Sequence, residues 1–523
     1  FFVYDRHHAN MSSNPSPYAA SEFPVKEFVD AYIERKQKKA GQDLKKHGAE
    51  KDTTLFGTEC VKTRRGVRLL VGPVIGKVTS TTAIVLLEVD ACADIYLHLV
   101  PESGGDSIVL EKTFPERIPT TFYVQNLAPD TSYRVAIGGI EGKYARRHTG
   151  LIKTLSETPK KLRIAVVSCD RPERHLEGEQ LMWKKIWERV QAGEIDMMLH
   201  VGDQVYAQKE SMDASAIYRH ADFHDAEDAE DRKKRILKTF NQARNRLSDV
   251  YRFTWNLPYT AKVLAHIPHY MIWSDNDIFN DFTIAEGASP LLVKLGQQCY
   301  RLYQRALWDE DITDDKDHSE EQHFHKFGNL GIMMLDMRGN RVDVEGNQSP
   351  ENPIVSENQW NQIQEMLNDP EVKVIMCCSE IPFISDPPEV VKAGAKKIPF
   401  LADHWAYNDD ELFRLLDLLS DWKAAGNGSR DVVLVGGDIH VGHTTVLHDN
   451  KNDIDIHQVT TSPVTNHVCG FFPKLENDLS ERYSYVHKVL EHEKNYGYFE
   501  IESNSDSGSI VSTLVGSDSS ISF

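Results

Sequence analysis

Apolar and polar residues alternate in short runs from about Arg68 onward, in GKVTSTTAIVLLEV, ADIYLHLV and TTFYVQNLAPDTSYRVAIGG, separated by Asp, Gly and Pro. A two-residue period between turn formers predicts antiparallel strands, and this small β domain spans residues 67–155. Beyond it the period changes. Apolar runs RIAVV (163–167) and DMMLHV (196–201) flank a stretch where Met182, Ile186 and Val190 recur at helical spacing, which makes a βαβ unit. HYMIW (269–273), LGIMML (330–335), VKVIM (372–376), DVVLV (431–435) and DIHQV (455–459) are further buried-strand candidates with helical segments between most of them. The predicted fold class of residues 156–523 is therefore α/β. GYFEIE, the turn-rich NSDSGS and SIVSTLV predict a closing hairpin, followed by a frayed Ser-rich tail. Residues 1–66 are expected to be a polar extension with one docked helix, on which Phe28, Val29, Tyr32 and Ile33 would share a side.

Composition narrows the function classes. Lys plus Arg number 59 against 79 for Asp plus Glu in 523 residues, a formal charge of −20. That balance repels phosphate backbones and argues against duplex nucleic acid. No stretch approaches the roughly 18 apolar residues of a membrane span, so a soluble chain is expected. Seven cysteines, two of them adjacent at Cys377 and Cys378, do not read as a disulfide framework and favour a reducing, intracellular compartment. The opening FFVYDRHHAN does not read as a signal peptide, and secretion stays open. The acidic stretches around 209–235 and 309–325 predict solvated helix or loop. Within the β domain, Tyr133 begins an alternating strand with Val135 and Ile137, a placement that resembles the tyrosine corner of β-sandwiches.

Ligands of open α/β sheets gather beyond the carboxyl ends of strands. After RIAVV come Ser168, Cys169, Asp170 and Arg171; after DMMLHV come Gly202, Asp203, Gln204, Val205 and Tyr206. HYMIW is followed by Ser274, Asp275, Asn276 and Asp277, and DVVLV by Gly436, Gly437, Asp438, Ile439 and His440. Singly, each has a plain structural reading: Asp203 and Asp275 as helix caps, Cys169 as a buried apolar thiol, Asp438 and His440 as a turn with a satisfied imidazole. Together, four strands of one sheet would place ionisable groups at one edge. Carboxylates, a thiolate and a phenolate in contact cannot all ionise without a cation. Cys and Tyr anions favour a strongly polarising ion such as Fe(III), with Zn, Mn and Ca also compatible.

GDQVY (202–206) and GGDIH (436–440), with a D-N-D segment between them, resemble motifs of the dinuclear metallophosphoesterases. The likeness is closer to the PhoD-like (alkaline phosphatase D) family. SCD (168–170) stands where that family uses a Cys ligand, and WSDNDIFND (273–281) is similar to its W-D-D-H-E-x-x-N-D segment. LDMRGNR (335–341), ENQWNQIQEML (357–367) and DHWAYNDDELFRLLDLL (403–419) resemble three further family segments. The likeness covers roughly residues 68–515. It implies a metallophosphoesterase-type αββα sandwich preceded by a fibronectin/Ig-like β-sandwich. It also implies that Cys169, Asp203, Tyr206 and His440 hold a first ion, Fe(III), the ion that purple acid phosphatases also hold with a tyrosine. Asp203 would bridge to a second ion, Ca, Zn or Mn, held by Asp275 and Asp438.

The resemblance makes Arg171 a candidate phosphate contact and Asp170 a support for the ligands, with a salt bridge as the structural alternative. Asn280 and Asp281 are candidates for the second-ion surroundings, with helix capping as the plainer reading. One departure matters: Asn276 replaces the family's His, and Asn donates a hydrogen bond but cannot act as an acid. Ser274 also removes a carboxylate. His443, His404 and His467 are alternatives for the missing acid. The expected activity is metal-dependent hydrolysis of a small phosphate mono- or diester by a metal-bound hydroxide, with inorganic phosphate as product. The rival is a metal- and phosphate-binding module without turnover.

Overall fold

The computed structural model describes residues 66–141, 149–172, 180–222, 225–280, 290–310, 320–341, 352–469, 476–490 and 493–522. The helix expected near Phe28, and Asp281, lie outside them. Strands Leu69–Val78, Ala83–Val89 and Thr120–Val124 form one antiparallel sheet. Ile108–Phe114, Ala93–Pro101, Ser132–Gly138 and Thr149–Lys153 form a second. Alternation decides which side chains go inward: Ile95, Leu97 and Leu99 on one sheet meet Val85 and Leu87 of the other in a shared core. The Tyr133 hydroxyl accepts a hydrogen bond from Ala128 N–H at 2.9 Å, back along its own chain.

Two larger sheets follow. One has the order His269–Ile272, Met197–Val201, Lys161–Val167, Tyr496–Ser503, Gly508–Val515, Ser520–Ser522. The other runs His323–Phe327, Leu330–Met334, Val374–Cys378, Asp431–Gly436, Ile454–Thr460, Gly442–Asp449, Tyr483–Leu490, Glu476–Asp478. The four motif-bearing strands therefore do not belong to one sheet, as the sequence had suggested. Three lie in the first sheet and Asp431–Gly436 lies in the second.

The strand pleat explains the layering. Leu162, Ile164 and Val166 join a core with Val374, Met376 and Cys378 of the other sheet, so the two sheets share an inner apolar layer. Their alternating neighbours face outward: Ala165 and Val167 meet Met182 and Ile186 of helix Leu181–Gln191. Ile375 and Cys377 meet Trp360 of helix Glu357–Asn368 and Leu412, Leu415 and Leu416 of helix Asp409–Ala425. Adjacent Cys377 and Cys378 are thus buried on opposite faces. The acidic stretch after residue 208 is helical, in Gln208–Arg219 and in Ala229–Thr254, whose start is capped by the Asp228 carboxylate accepting from Asp231 N–H.

The closing hairpin forms between Tyr496–Ser503 and Gly508–Val515, but the tail does not simply fray. Ser520–Ser522 adds a third strand, because Ile521 pairs with Leu514 and packs against the inner core. Cys92 is disulfide-bonded, so cysteine usage does not carry the expected reducing compartment. No helix among the described residues is long and apolar enough to cross a membrane.

Candidate metal centre

Every motif residue sits just past a strand, where the backbone must turn sharply. Among the described residues nine non-glycine residues have positive φ, and four of them are Cys169 (56°), Asp203 (57°), Asp438 (63°) and His440 (53°). Left-handed backbone at a bulky residue costs energy, and here it is concentrated where side chains converge. Gly437 allows the two sheets to meet: a Cβ there would stand 2.6 Å from Ser168 Cβ and 2.7 Å from the Val201 carbonyl oxygen. At Gly202, φ 86°, an added Cβ would likewise stand 2.7 Å from Ser274 Cβ.

The convergence produces two donor groups that share one residue. Cys169, Asp203 and His440 offer ligand atoms all within 4.8 Å of one another, and so do Asp203, Asp275 and Asp438. Asp203 thus lies between a sulfur-and-nitrogen side and an all-carboxylate side. Its Oδ2 accepts from Tyr206 Oη at 2.8 Å and from Asn276 Nδ2 at 3.2 Å. Its Oδ1 is buried with no hydrogen-bond partner. Tyr206 Oη also lies 3.0 Å from His440 Nε2.

The electrostatics call for a cation. Burial, then the nearby Asp275 and Asp438 charges, pushes the Asp203 carboxyl well above the usual range. Asp438 is raised by burial and then by Asp275. Burial and the Asp203 and Asp438 charges raise the Cys169 thiol, and burial and Asp203 raise the Tyr206 phenol. His440 is pushed down to about 3 by burial, then by His467 and Arg171, so its imidazole is neutral and able to ligate. Multivalent cations would lift these penalties together, and the orphaned Asp203 Oδ1 is the acceptor such an ion needs. The residues present fit a dinuclear site.

The remaining sequence candidates divide. Arg171 is exposed, with its guanidinium carbon 5.3 Å from the Tyr206 ring centroid, at the mouth of the site. Asp170 belongs to neither donor group: its Oδ1 accepts from Thr465 Oγ1 at 2.7 Å, and its N–H donates to the Asp203 carbonyl at 2.9 Å. Asn276 Nδ2 reaches Asp203 and, at 3.3 Å, Asp275. Asn280 is exposed. Of the three spare histidines only His467 is brought alongside, its ring centroid 4.9 Å from that of His440. His404 bonds to Ser385 Oγ at 2.8 Å, and His443 lies 3.2 Å from Thr445 Oγ1.

Sequence reasoning missed the segment after strand Ile454–Thr460. Ser462 Oγ donates to Cys169 Sγ at 3.1 Å and accepts from His440 N–H at 2.9 Å. Asn466 Nδ2 lies 3.0 Å from His440 Nε2. DIHQV is itself a predicted strand, so inspecting the polar residues beyond it would have found both. Arg338, inside the LDMRGNR motif, is buried 3.7 Å from Asp275 and is ion-paired with Glu380 at 2.7 Å and Asp403 at 2.9 Å.

The solved structure titled "Structure of PhoD" superposes with a TM-score of 0.57 at 13% identity, covering 88% of this chain and 93% of that one. A structure titled "GAP50 the anchor in the inner membrane complex of Plasmodium" reaches 0.37 at 14% identity, covering 68% of this chain and 85% of that one. No curated protein sequence matches. A family model described as PhoD-like phosphatase matches residues 164–510, and the chain belongs to that family.

Proposed function

We propose that this chain is a phosphoric ester hydrolase of alkaline-phosphatase-D type that uses two or more metal ions on a small phosphate mono- or diester. The observation that carries the reading is Asp203 standing in both donor groups, one with Cys169 and His440, the other with Asp275 and Asp438. We read the paired sheets as a metallophosphoesterase αββα sandwich over residues 156–523. Residues 67–155 are read as a fibronectin/Ig-like β-sandwich. Fe(III) fits the side of Cys169, Tyr206 and His440, and Ca, Zn or Mn fits the carboxylate side. Bound there, the ions supply Lewis acidity toward phosphoryl oxygens and an acidified water for in-line attack.

The protein groups do the rest. Asn276 Nδ2 holds Asp203 and Asp275 in register, and one of its two N–H groups turns to an equatorial phosphoryl oxygen when the ester enters. Arg171, exposed at the mouth, neutralises the incoming phosphate. His467, exposed beside His440, hands a proton to the leaving alkoxide in place of the family His that Asn276 replaces.

Elemental analysis with a visible spectrum tests the reading. The expected result is iron together with a second ion, and a broad absorption band lost in Tyr206→Phe. A colourless protein with stoichiometric zinc would reject ferric iron, and a metal-free, inactive protein would reject the function. Rates on p-nitrophenyl phosphate and its bis ester separate mono- from diesterase activity. Bound phosphate and two metals without turnover at any pH would favour the binding module.

A further inference from the structure

An open cavity of about 630 Å³ lies against the edge strand His323–Phe327, and no residue of the metal centre lines it. Its volume is in the range of small-molecule sites. Most of its charges are already neutralised. Arg305 is paired with Asp309 at 2.8 Å and Glu321 at 2.7 Å, and Lys326 with Asp369 at 2.7 Å and with Glu371. The two lining histidines add none. His323 Nε2–H donates to the Met271 carbonyl at 3.0 Å, so its Nδ1 is the acceptor for His325 Nε2–H at 2.7 Å. Burial holds both rings neutral, His323 down to about 3.

Two opposite charges are left over. Lys77 and Glu365 both line the cavity, and neither is ion-paired with the other or with any described residue. Beside them are three polar atoms buried without a hydrogen-bond partner, the Trp308 Nε1 donor and the Gln322 and Gln362 Oε1 acceptors. Trp308 and Gln322 are fixed. Trp308 lies between His323, stacked at 4.2 Å, and the Arg305 guanidinium, 5.1 Å from its ring centroid. Gln322 is 8% exposed, and its Nε2 donates to Glu320 at 2.9 Å, which settles which atom is the oxygen. Orphaned buried groups are unfavourable unless a ligand or water meets them.

We propose that this cavity binds a small zwitterion, with its carboxylate or phosphate at Lys77 and Trp308 and its ammonium at Glu365 and Gln322. The wall presents two donors, one cationic, and three acceptors, one of them anionic. A simple anion would leave the acceptors bare and meet Glu365, and a simple cation would meet Lys77. Only a molecule carrying both charges satisfies donors and acceptors together.

Isothermal titration calorimetry on the intact metal-loaded protein tests the assignment with 4-aminobutyrate and phosphoethanolamine, against butyrate and butylamine as half-ligands. The expected result is saturable one-to-one binding of at least one zwitterion, with both half-ligands weaker by about tenfold or more. Lys77→Met, Glu365→Gln and Trp308→Phe should each weaken it about tenfold while p-nitrophenyl phosphate hydrolysis stays at the wild-type rate. Which zwitterion binds decides between a carboxylate and a phosphate end. Absence of binding by either, equal binding of the half-ligands, or undiminished binding in Glu365→Gln would overturn the proposal. Glu365 is exposed on its helix, so that variant folds even if Trp308→Phe does not. Binding is read without turnover, so its failure is distinct from failure of the phosphatase reading.

Discussion

Asp203 concentrates the costs of the site in one residue: left-handed backbone, a buried carboxylate with one orphaned oxygen, and two carboxylate neighbours. Asp203→Asn should remove ions from both sides at once. Elemental analysis should show both metals falling together, and activity should drop by more than the roughly 10–100-fold typical of an outer contact. Loss of one metal only would mean that Asp203 does not bridge. Asn276 makes the opposite prediction. It holds carboxylates but has no proton to give, so Asn276→His should raise kcat about tenfold or more on alkyl phosphates, whose leaving group needs a proton. It should leave p-nitrophenyl phosphate hydrolysis unchanged, and equal effects on both would show that proton donation is not what Asn276 lacks. The six candidate ligands were legible because each directly follows a strand run in the sequence. Ser462 and Asn466 also follow a strand run and could be singled out as candidates in the same way, but that they reach Cys169 and His440 is visible only in the fold.

At the scale of elements, the site rests on a buried ionic frame that joins the loop after strand Leu330–Met334 to two others. Arg338, 1% exposed, pairs with Asp403 ahead of helix Asp409–Ala425 and with Glu380 after strand Val374–Cys378, and its Nη2 lies 3.7 Å from Asp275. Arg341 pairs with the same Asp403 at 3.3 Å. Arg338→Met would leave Glu380 buried without its counter-charge and Asp403 with Arg341 alone, at a cost of about 3–5 kcal/mol. Urea denaturation should show this as a lower midpoint, and a change under 1 kcal/mol would mean that the carboxylates find water or neutralise instead. The strands themselves were legible as apolar runs, since a short run of this kind between turn formers suits a strand buried on both faces. VKVIM, expected at 372–376, forms its strand at Val374–Cys378, because an apolar run does not mark where pairing begins. The pairing of Arg338 with Asp403 was invisible for another reason: both residues stand in family-like motifs, yet only the sheet order brings the motifs together.

For the whole molecule, two sheets that bury both faces leave polar residues inside, and histidine is the one whose state changes with mild acid. His269, His404 and His487 are held down to about 4, in each case first by burial, and His323 to about 3. An imidazole in the unfolded chain titrates near 6.5, about two units or more higher. Below that pH the unfolded state binds more protons than the folded one, so these groups have no effect on stability above about 6.5 and remove it as pH falls toward 4. Glu380 acts in the opposite direction: burial raises it to about 7, so its protonation favours the folded state as pH falls toward the ordinary carboxyl value. A single histidine must therefore be isolated to see its share. His487 donates Nε2–H to the Ser385 carbonyl at 2.8 Å and lies 2.7 Å from Thr445 Oγ1. His487→Gln keeps a donor near Ser385 and removes the titration. Urea midpoints measured at intervals from pH 7.5 to 4.5 should fall less steeply in the variant, by up to about 1.4 kcal/mol per pH unit below pH 6, with the two proteins parallel above pH 7. Parallel curves across the whole range would mean that His487 gains its proton without unfolding, and that the acid sensitivity of the fold lies elsewhere.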